Sequence, residues 1–222
     1  MIMAMLKPLG IEKGKPLAPD DRQKKILEEG AQLGEMMAQS LAFANRDNGI
    51  RYRPDARWEY TITMDPSQEA ATYTQLDERT HYFYQAVTKG MVTKAPGVGQ
   101  AYLATAVDKN GAWLDGGKNY RLHVPPNPPA KQFWSVTVYD SLTRVLIDNG
   151  TGVADKSSRT NITKNADGSV DVYFGPTAPA GMEKNWIPTL PGKAWFPLFR
   201  LYGPTEGYFD KSWPLPDIEP MP

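Results

Sequence analysis

Ser135, His123 and Asp140 are the residue types of a nucleophile, a general base and the acid that orients it. Their spacing argues against that use. Ser135 and Asp140 are five apart in a stretch of alternating character, so an extended strand points them to opposite faces. No Gly-x-Ser-x-Gly elbow is present to expose a serine at a strand-to-helix turn. Paired carboxylates are the alternative, since glycosidic or ester cleavage without a metal needs an acid and a base or nucleophile facing one bond. Asp108, Asp115, Asp140 and Asp167 are the aspartates to consider, and Asp115 and Asp140, with His123 as the accessory imidazole, form the candidate catalytic set. Asp108, Asp115 and Asp167 also stand at Lys-Asn-Gly, Gly and Gly turns, where aspartate caps the backbone without doing chemistry.

Arg200 is the most informative charged residue. It stands among Phe196, Leu198, Phe199, Leu201 and Tyr202, and a guanidinium in so apolar a strand must pair with an acid or face a polar pocket. Arg200 is therefore the candidate ligand anchor. Ser135, Tyr139, Tyr202, Trp113, Asn185 and Trp186 complete the candidate ligand-binding set, because aromatic rings beside polar side chains offer platforms for sugar rings or flat apolar molecules. Oxygen ligation of Ca²⁺ by Asp108, Asn110 and Asp115 does not match an EF-hand spacing, so no metal and no cofactor is expected.

The chain that must position these groups has 222 residues, with 25 basic and 25 acidic side chains. A zero net charge, scattered lysines and the absence of an aromatic and basic stripe give no footprint for nucleic acid. No phosphate-cradling or dinucleotide-binding glycine loop appears. The absence of cysteine excludes disulfides and thiolate chemistry, and two histidines leave little for a transition metal. No run approaches the length of a membrane-spanning helix. Met1 to Leu6 are apolar, but Lys7 and Pro8 interrupt them before a secretory core is complete, so no export signal is expected in this stretch.

Nineteen glycines and twenty prolines mark a turn-rich chain. Ile26, Leu33, Met37 and Leu41 predict a helix entered at Asp20 or Asp21 and ending near Asn45, with Gly30 and Gly34 on one face as a packing seam. A short strand is expected over 59–64, and a second helix from an N-cap at Ser67 to about Lys89. Period-two alternation then predicts strands from Ala101, from Tyr120, over 133–140, 145–148, 170–174 and 194–202. Four prolines within 125–129 make a stiff spacer or sheet-crossing link. The expected fold is mostly β, an antiparallel jelly-roll-like β-sandwich over 59–222 with one inserted helix, preceded by a linker and helix over 1–58.

The runs Asp108-Lys-Asn-Gly111, Leu114-Asp115-Gly116, Tyr120-Arg-Leu-His123-Val-Pro-Pro and Phe133-Trp-Ser-Val-Thr-Val-Tyr139-Asp140 resemble the domain of unknown function numbered 1214. So do Asn165-Ala-Asp167-Gly168-Ser169, Phe174-Gly-Pro176, Asn185-Trp186-Ile-Pro188-Thr189 and Phe199-Arg200-Leu-Tyr202-Gly-Pro204. The resemblance implies a β-sandwich with jelly-roll character in periplasmic or exported bacterial envelope proteins, usually downstream of the domain of unknown function numbered 1254. It implies no established reaction. Family members are often twice this length, so a face that the upstream domain normally covers is expected to be met by another copy, giving a homo-oligomer. The functional expectation is a ligand-binding or assembly module for a small organic or carbohydrate ligand, with the carboxylate-pair hydrolase as the alternative.

Overall fold

The computed structural model describes residues 2–45, 49–61, 69–84 and 95–222. The chain divides into two compact units, Met1–Asn45 and Arg46–Pro222. In the first, a short helix α1 (Ile2–Leu6) runs into a single 3-10 turn, and α2 follows over Asp21–Phe43. Asp20 caps α2: its carboxylate accepts the Gln23 N–H at 2.7 Å while the Gln23 side chain accepts the Asp20 N–H at 2.9 Å, a reciprocal box that fixes the start of the helix. A Cβ added at Gly30 or Gly34 would meet no atom within 4 Å, so the close approach expected of these glycines is not made among the described residues of this unit.

The second unit is two sheets around one core. β1 (Glu59–Tyr60), β2 (Gln100–Ala104), β8 (Trp195–Pro204), β4 (Ala130–Asp140) and β5 (Asp155–Ser157) lie side by side in that order, every neighbour antiparallel. The other sheet has the order β7 (Trp186–Pro188), β6 (Val170–Gly175), β3 (Tyr120–Val124), β9 (Glu219–Pro220), with β6 and β7 parallel. Among the described residues two α-helices complete it, α3 (Leu76–Tyr84) and α4 (Glu206–Phe209). Alternation decides which side chains go inward. Leu103, Val136, Val138, Phe199 and Leu201 from the first sheet meet Tyr120, Leu122, Val172, Phe174 and Ile187 from the second in one buried cluster. Trp195 bridges them, edge-on to Tyr120 at 5.7 Å and tilted on Phe174 at 4.8 Å.

Several expectations need adjustment. The division falls at 45/46, because Tyr52 and Trp58 are fully buried in the core of the sheets and 50–58 therefore belongs to the second unit. Trp58 Nε1 donates to the Pro216 carbonyl at 2.8 Å, tying this segment to the C-terminal end. The second helix begins only at Leu76, since a turn closed by the Ala70 N–H on the Tyr73 carbonyl precedes it. Ser67, Val87, Lys89 and the 62–64 end of the first strand lie outside the described residues. The stretch 145–148 makes a single bridge, Leu146 to Tyr139, and is no strand. The 125–129 prolines do cross sheets, carrying the chain from β3 to β4.

Candidate functional site

β8 is central in the five-stranded sheet, so its outward residues Phe196, Leu198, Arg200 and Tyr202 each have neighbours on both sides. The register places Arg200 between Tyr102 of β2 and Ser135 of β4, with Ser157 of β5 next across. Tyr202 sits between Gln100 and Phe133, and Leu198 lies beside Thr137. The result is a row of a tyrosine, a guanidinium and two serines, flanked along the strands by aromatic pairs. Phe133 and Tyr202 stack at 3.8 Å, and Tyr139 and Phe196 stack at 5.4 Å.

This face points away from the core, yet Tyr102, Ser135 and Thr137 are only 8%, 5% and 6% exposed. Arg200 is partly buried, its Nη2 donating to the Tyr139 hydroxyl and its Cζ lying 5.6 Å from the Tyr102 ring and 5.7 Å from the Tyr139 ring. Its Nε–H is buried and has no partner among the described residues. Among the described residues no carboxylate pairs with Arg200; Asp155 shares the face but sits two strands away on the exposed edge strand β5. Burial raises the Tyr102 phenol above its ordinary value, with Arg200 pulling the other way, so it stays a neutral hydroxyl. That hydroxyl donates to Gln100 Oε1.

Arg200, Tyr139, Ser135 and Tyr202 thus come together. The remaining candidates do not join them. His123 projects from the outward face of the other sheet and bonds Asp171 at 2.8 Å, so the core separates it from Ser135. Asp115 and Asp140 both flank the 193–195 segment, pairing with Ala194 and Trp195 respectively. Asp140 caps a turn: its Oδ1 accepts the Leu142 and Thr143 N–H groups and the Thr143 hydroxyl at 2.8 to 3.1 Å. Burial pushes this carboxyl up, but the Thr143 and Leu142 bonds and the Lys193 ammonium outweigh it, leaving it below the ordinary range and ionised at neutral pH. Asp115 Oδ1 accepts the Gly117 N–H at 2.9 Å, and a Cβ on Gly116 would collide with the Leu190 carbonyl, so this turn is built for close backbone approach.

Asn185 is 2% exposed and bonds the Thr163 N–H and the Thr163 and Asp171 carbonyls, clipping a loop to β6. Trp186 Nε1 is likewise committed to the Gly175 carbonyl at 2.9 Å. Trp113 is 55% exposed and bridges Val107, outside the named strands. Among the described residues no group of three His, Asp or Glu side chains could hold a metal ion. Tyr102, Phe133, Thr137 and Phe196 are the site residues that motif reading passes over. Their parity is visible in the alternation, but which strands adjoin is a long-range property.

Residues 99–206 match the family described as a protein of unknown function (DUF1214). The resemblance to DUF1214 holds. All four strands of the Arg200 row, β2, β8, β4 and β5, lie within that DUF1214 stretch. The chain is also similar to the solved VPA0106 protein from Vibrio parahaemolyticus, at 19% identity and a TM-score of 0.53, with 99% of this chain and 50% of that one covered. A putative uncharacterized protein from Burkholderia cenocepacia aligns at 13% identity and a TM-score of 0.38, over 98% of this chain and 48% of that one. The chain thus spans about half the length of these solved structures, and the first of them shows a shared fold. No curated protein matches. No described helix is long and apolar enough to cross a membrane.

Proposed function

We propose that this chain is a ligand-binding module of an exported bacterial protein, taking a small organic or carbohydrate ligand on the outward face of the five-stranded sheet. The observation that carries the reading is Arg200, a cation held among tyrosines and hydroxyls with no carboxylate partner among the described residues. A structural arginine in a strand is normally neutralised by an acid, whereas a binding arginine is left for its ligand. Jelly-roll connectivity belongs to the same proposal, supported by the chain's repeated crossing between sheets and the β2-β8-β4 centre. A periplasmic or envelope location, pairing with an upstream second domain, and assembly of copies through a face that domain would otherwise cover complete it.

The hydrolase reading rests on Asp115 and Asp140 flanking one segment. It is the weaker one, because a general acid needs a raised carboxyl and Asp140 is held down by its turn. A thermal-shift screen against sugars, glycan fragments, lipids, small carboxylates and divalent ions tests the proposal. Saturating ligand should raise the melting temperature by roughly 5 to 10 °C. Trp113→Ala should retain that shift and Arg200→Gln should lose it. A shift that depends on Asp115 and Asp140 but not on Arg200 overturns the placement, and silence from every class overturns the binding role.

A further inference from the structure

We infer that the ligand of this face is a small carboxylate carried on an aromatic or alicyclic ring, its carboxylate seated on Arg200; the inference rests on the binding role proposed above. A guanidinium keeps its charge at any ordinary pH, and burial makes that charge costly unless an anion answers it. The groups around Arg200 hydrogen-bond without neutralising. Tyr139 accepts from Nη2, and Tyr102, Ser135 and Thr137 bring neutral hydroxyls to the same face. The element missing among the described residues is therefore one negative charge, and a planar carboxylate matches the planar fork of an arginine.

The rest of the ligand follows from what brackets the arginine. Along the strands, stacked aromatic pairs lie on either side of Arg200: Phe133 with Tyr202, and Tyr139 with Phe196. From residue 202 to residue 196 the strand advances about 20 Å. Phe196 is buried and Phe133 already carries Tyr202 and Arg159 against its ring, so the partly exposed Tyr202 and Tyr139 are the rings left for contact. A flat apolar ring joined to the carboxylate reaches one of them while its charge stays on Arg200. A polyanion is a poorer match. Among the described residues, Arg159 is a second cation near this face, but it is exposed and stacks on Phe133 at 3.9 Å, at one end of the row.

The test uses the full chain and matched probes: benzoate and cyclohexanecarboxylate against benzamide, phenyl phosphate and methyl glucoside, read by titration calorimetry. Both carboxylates should bind and benzamide should not. Arg200→Gln should weaken benzoate roughly tenfold to a hundredfold. Tyr139→Phe, which keeps the ring and removes the hydroxyl held by Nη2, should weaken it severalfold; this variant decides the matter if Arg200→Gln does not fold. Benzamide or methyl glucoside binding as well as benzoate, with dependence on Arg200, overturns the carboxylate and leaves the binding role standing. Phenyl phosphate binding more than tenfold tighter than benzoate does the same. Benzoate binding indifferent to both variants removes the site itself, and no binding by either carboxylate removes the inference.

Discussion

The outward faces of the two sheets carry opposite solutions to the same electrostatic problem. On the four-stranded sheet each charge has a partner within its own fold. Arg121 bonds Glu219 at 2.6 Å, Lys109 approaches the same carboxylate at 3.2 Å, and His123 meets Asp171 at 2.8 Å, with Asn165 holding the second Asp171 oxygen at 3.0 Å. On the five-stranded sheet Arg200 has a buried Nε and, among the described residues, only neutral neighbours. Exposed charges can be left to water, so pairing them gains little, whereas the enclosed charge is the one for which a partner matters most. That the enclosed one lacks it among the described residues is what supports the binding role proposed for the five-stranded face, since local departures from good packing and pairing concentrate where a protein meets its ligand.

The largest expected effect lies on the paired side. Asn185→Ala leaves the Thr163 N–H and the Thr163 and Asp171 carbonyls without their partner, which costs about 3 kcal/mol. Urea denaturation measures it; a loss under about 1 kcal/mol would mean that water replaces the clip and that the paired face is less tightly specified than its bonds suggest.

Supplying the absent acid sharpens the contrast. Ser135 stands beside Arg200 in register, so Ser135→Asp puts a carboxylate where the ligand's is proposed to sit. A double-mutant cycle with Arg200→Met should give a favourable coupling of about 2 kcal/mol, and Ser135→Asp should abolish benzoate binding. A coupling near zero would show that Arg200 is already satisfied and would dissolve the difference between the faces. Arg200→Met alone should shift stability by less than about 1 kcal/mol, or raise it, because it removes a costly charge together with one hydrogen bond. A fall of several kcal/mol in the urea midpoint analysis would make Arg200 a structural residue.

How much of this was legible in the sequence differs by residue. Arg200 stood out because charge in an apolar run is a local contradiction, and the parity that separates Ser135 from Asp140 is a property of one strand. The strands over 133–140 and 194–202 were readable for the same reason. β5, β7 and β9 were not: Asp155–Ser157, Trp186–Pro188 and Glu219–Pro220 are two or three residues long and exist because a longer strand offers them an edge. Asn185 and Trp186 looked like a polar and aromatic ligand platform, and their side chains instead bond backbone carbonyls that only the folded chain brings near. Tyr102 was visible as a strand residue, but its place beside Arg200 depends on a pairing between positions 98 residues apart in sequence.

The smallest effect is also the one that separates the two faces by pH. The Glu219 carboxyl is held below the ordinary glutamate value of 4.5 by the bond from Arg121 and then by that from Lys109, with burial opposing weakly. A carboxyl lowered in the fold stabilises it above the unfolded value, and that contribution is lost as the pH falls through the folded one. Glu219 is 38% exposed, so screening limits the gain to roughly 0.2 to 1 kcal/mol. Glu219→Gln should therefore be slightly less stable than the parent at neutral pH. The gap should shrink below pH 4.5 and again in high salt. The Arg200→Met difference should stay flat over the same range, because among the described residues Arg200 has no carboxylate partner to titrate there. Melting curves of both variants from about pH 7 to about pH 3 decide the point. If the Arg200→Met difference tracks pH as the Glu219→Gln difference does, a carboxylate of the chain itself answers Arg200, and the two faces obey one rule.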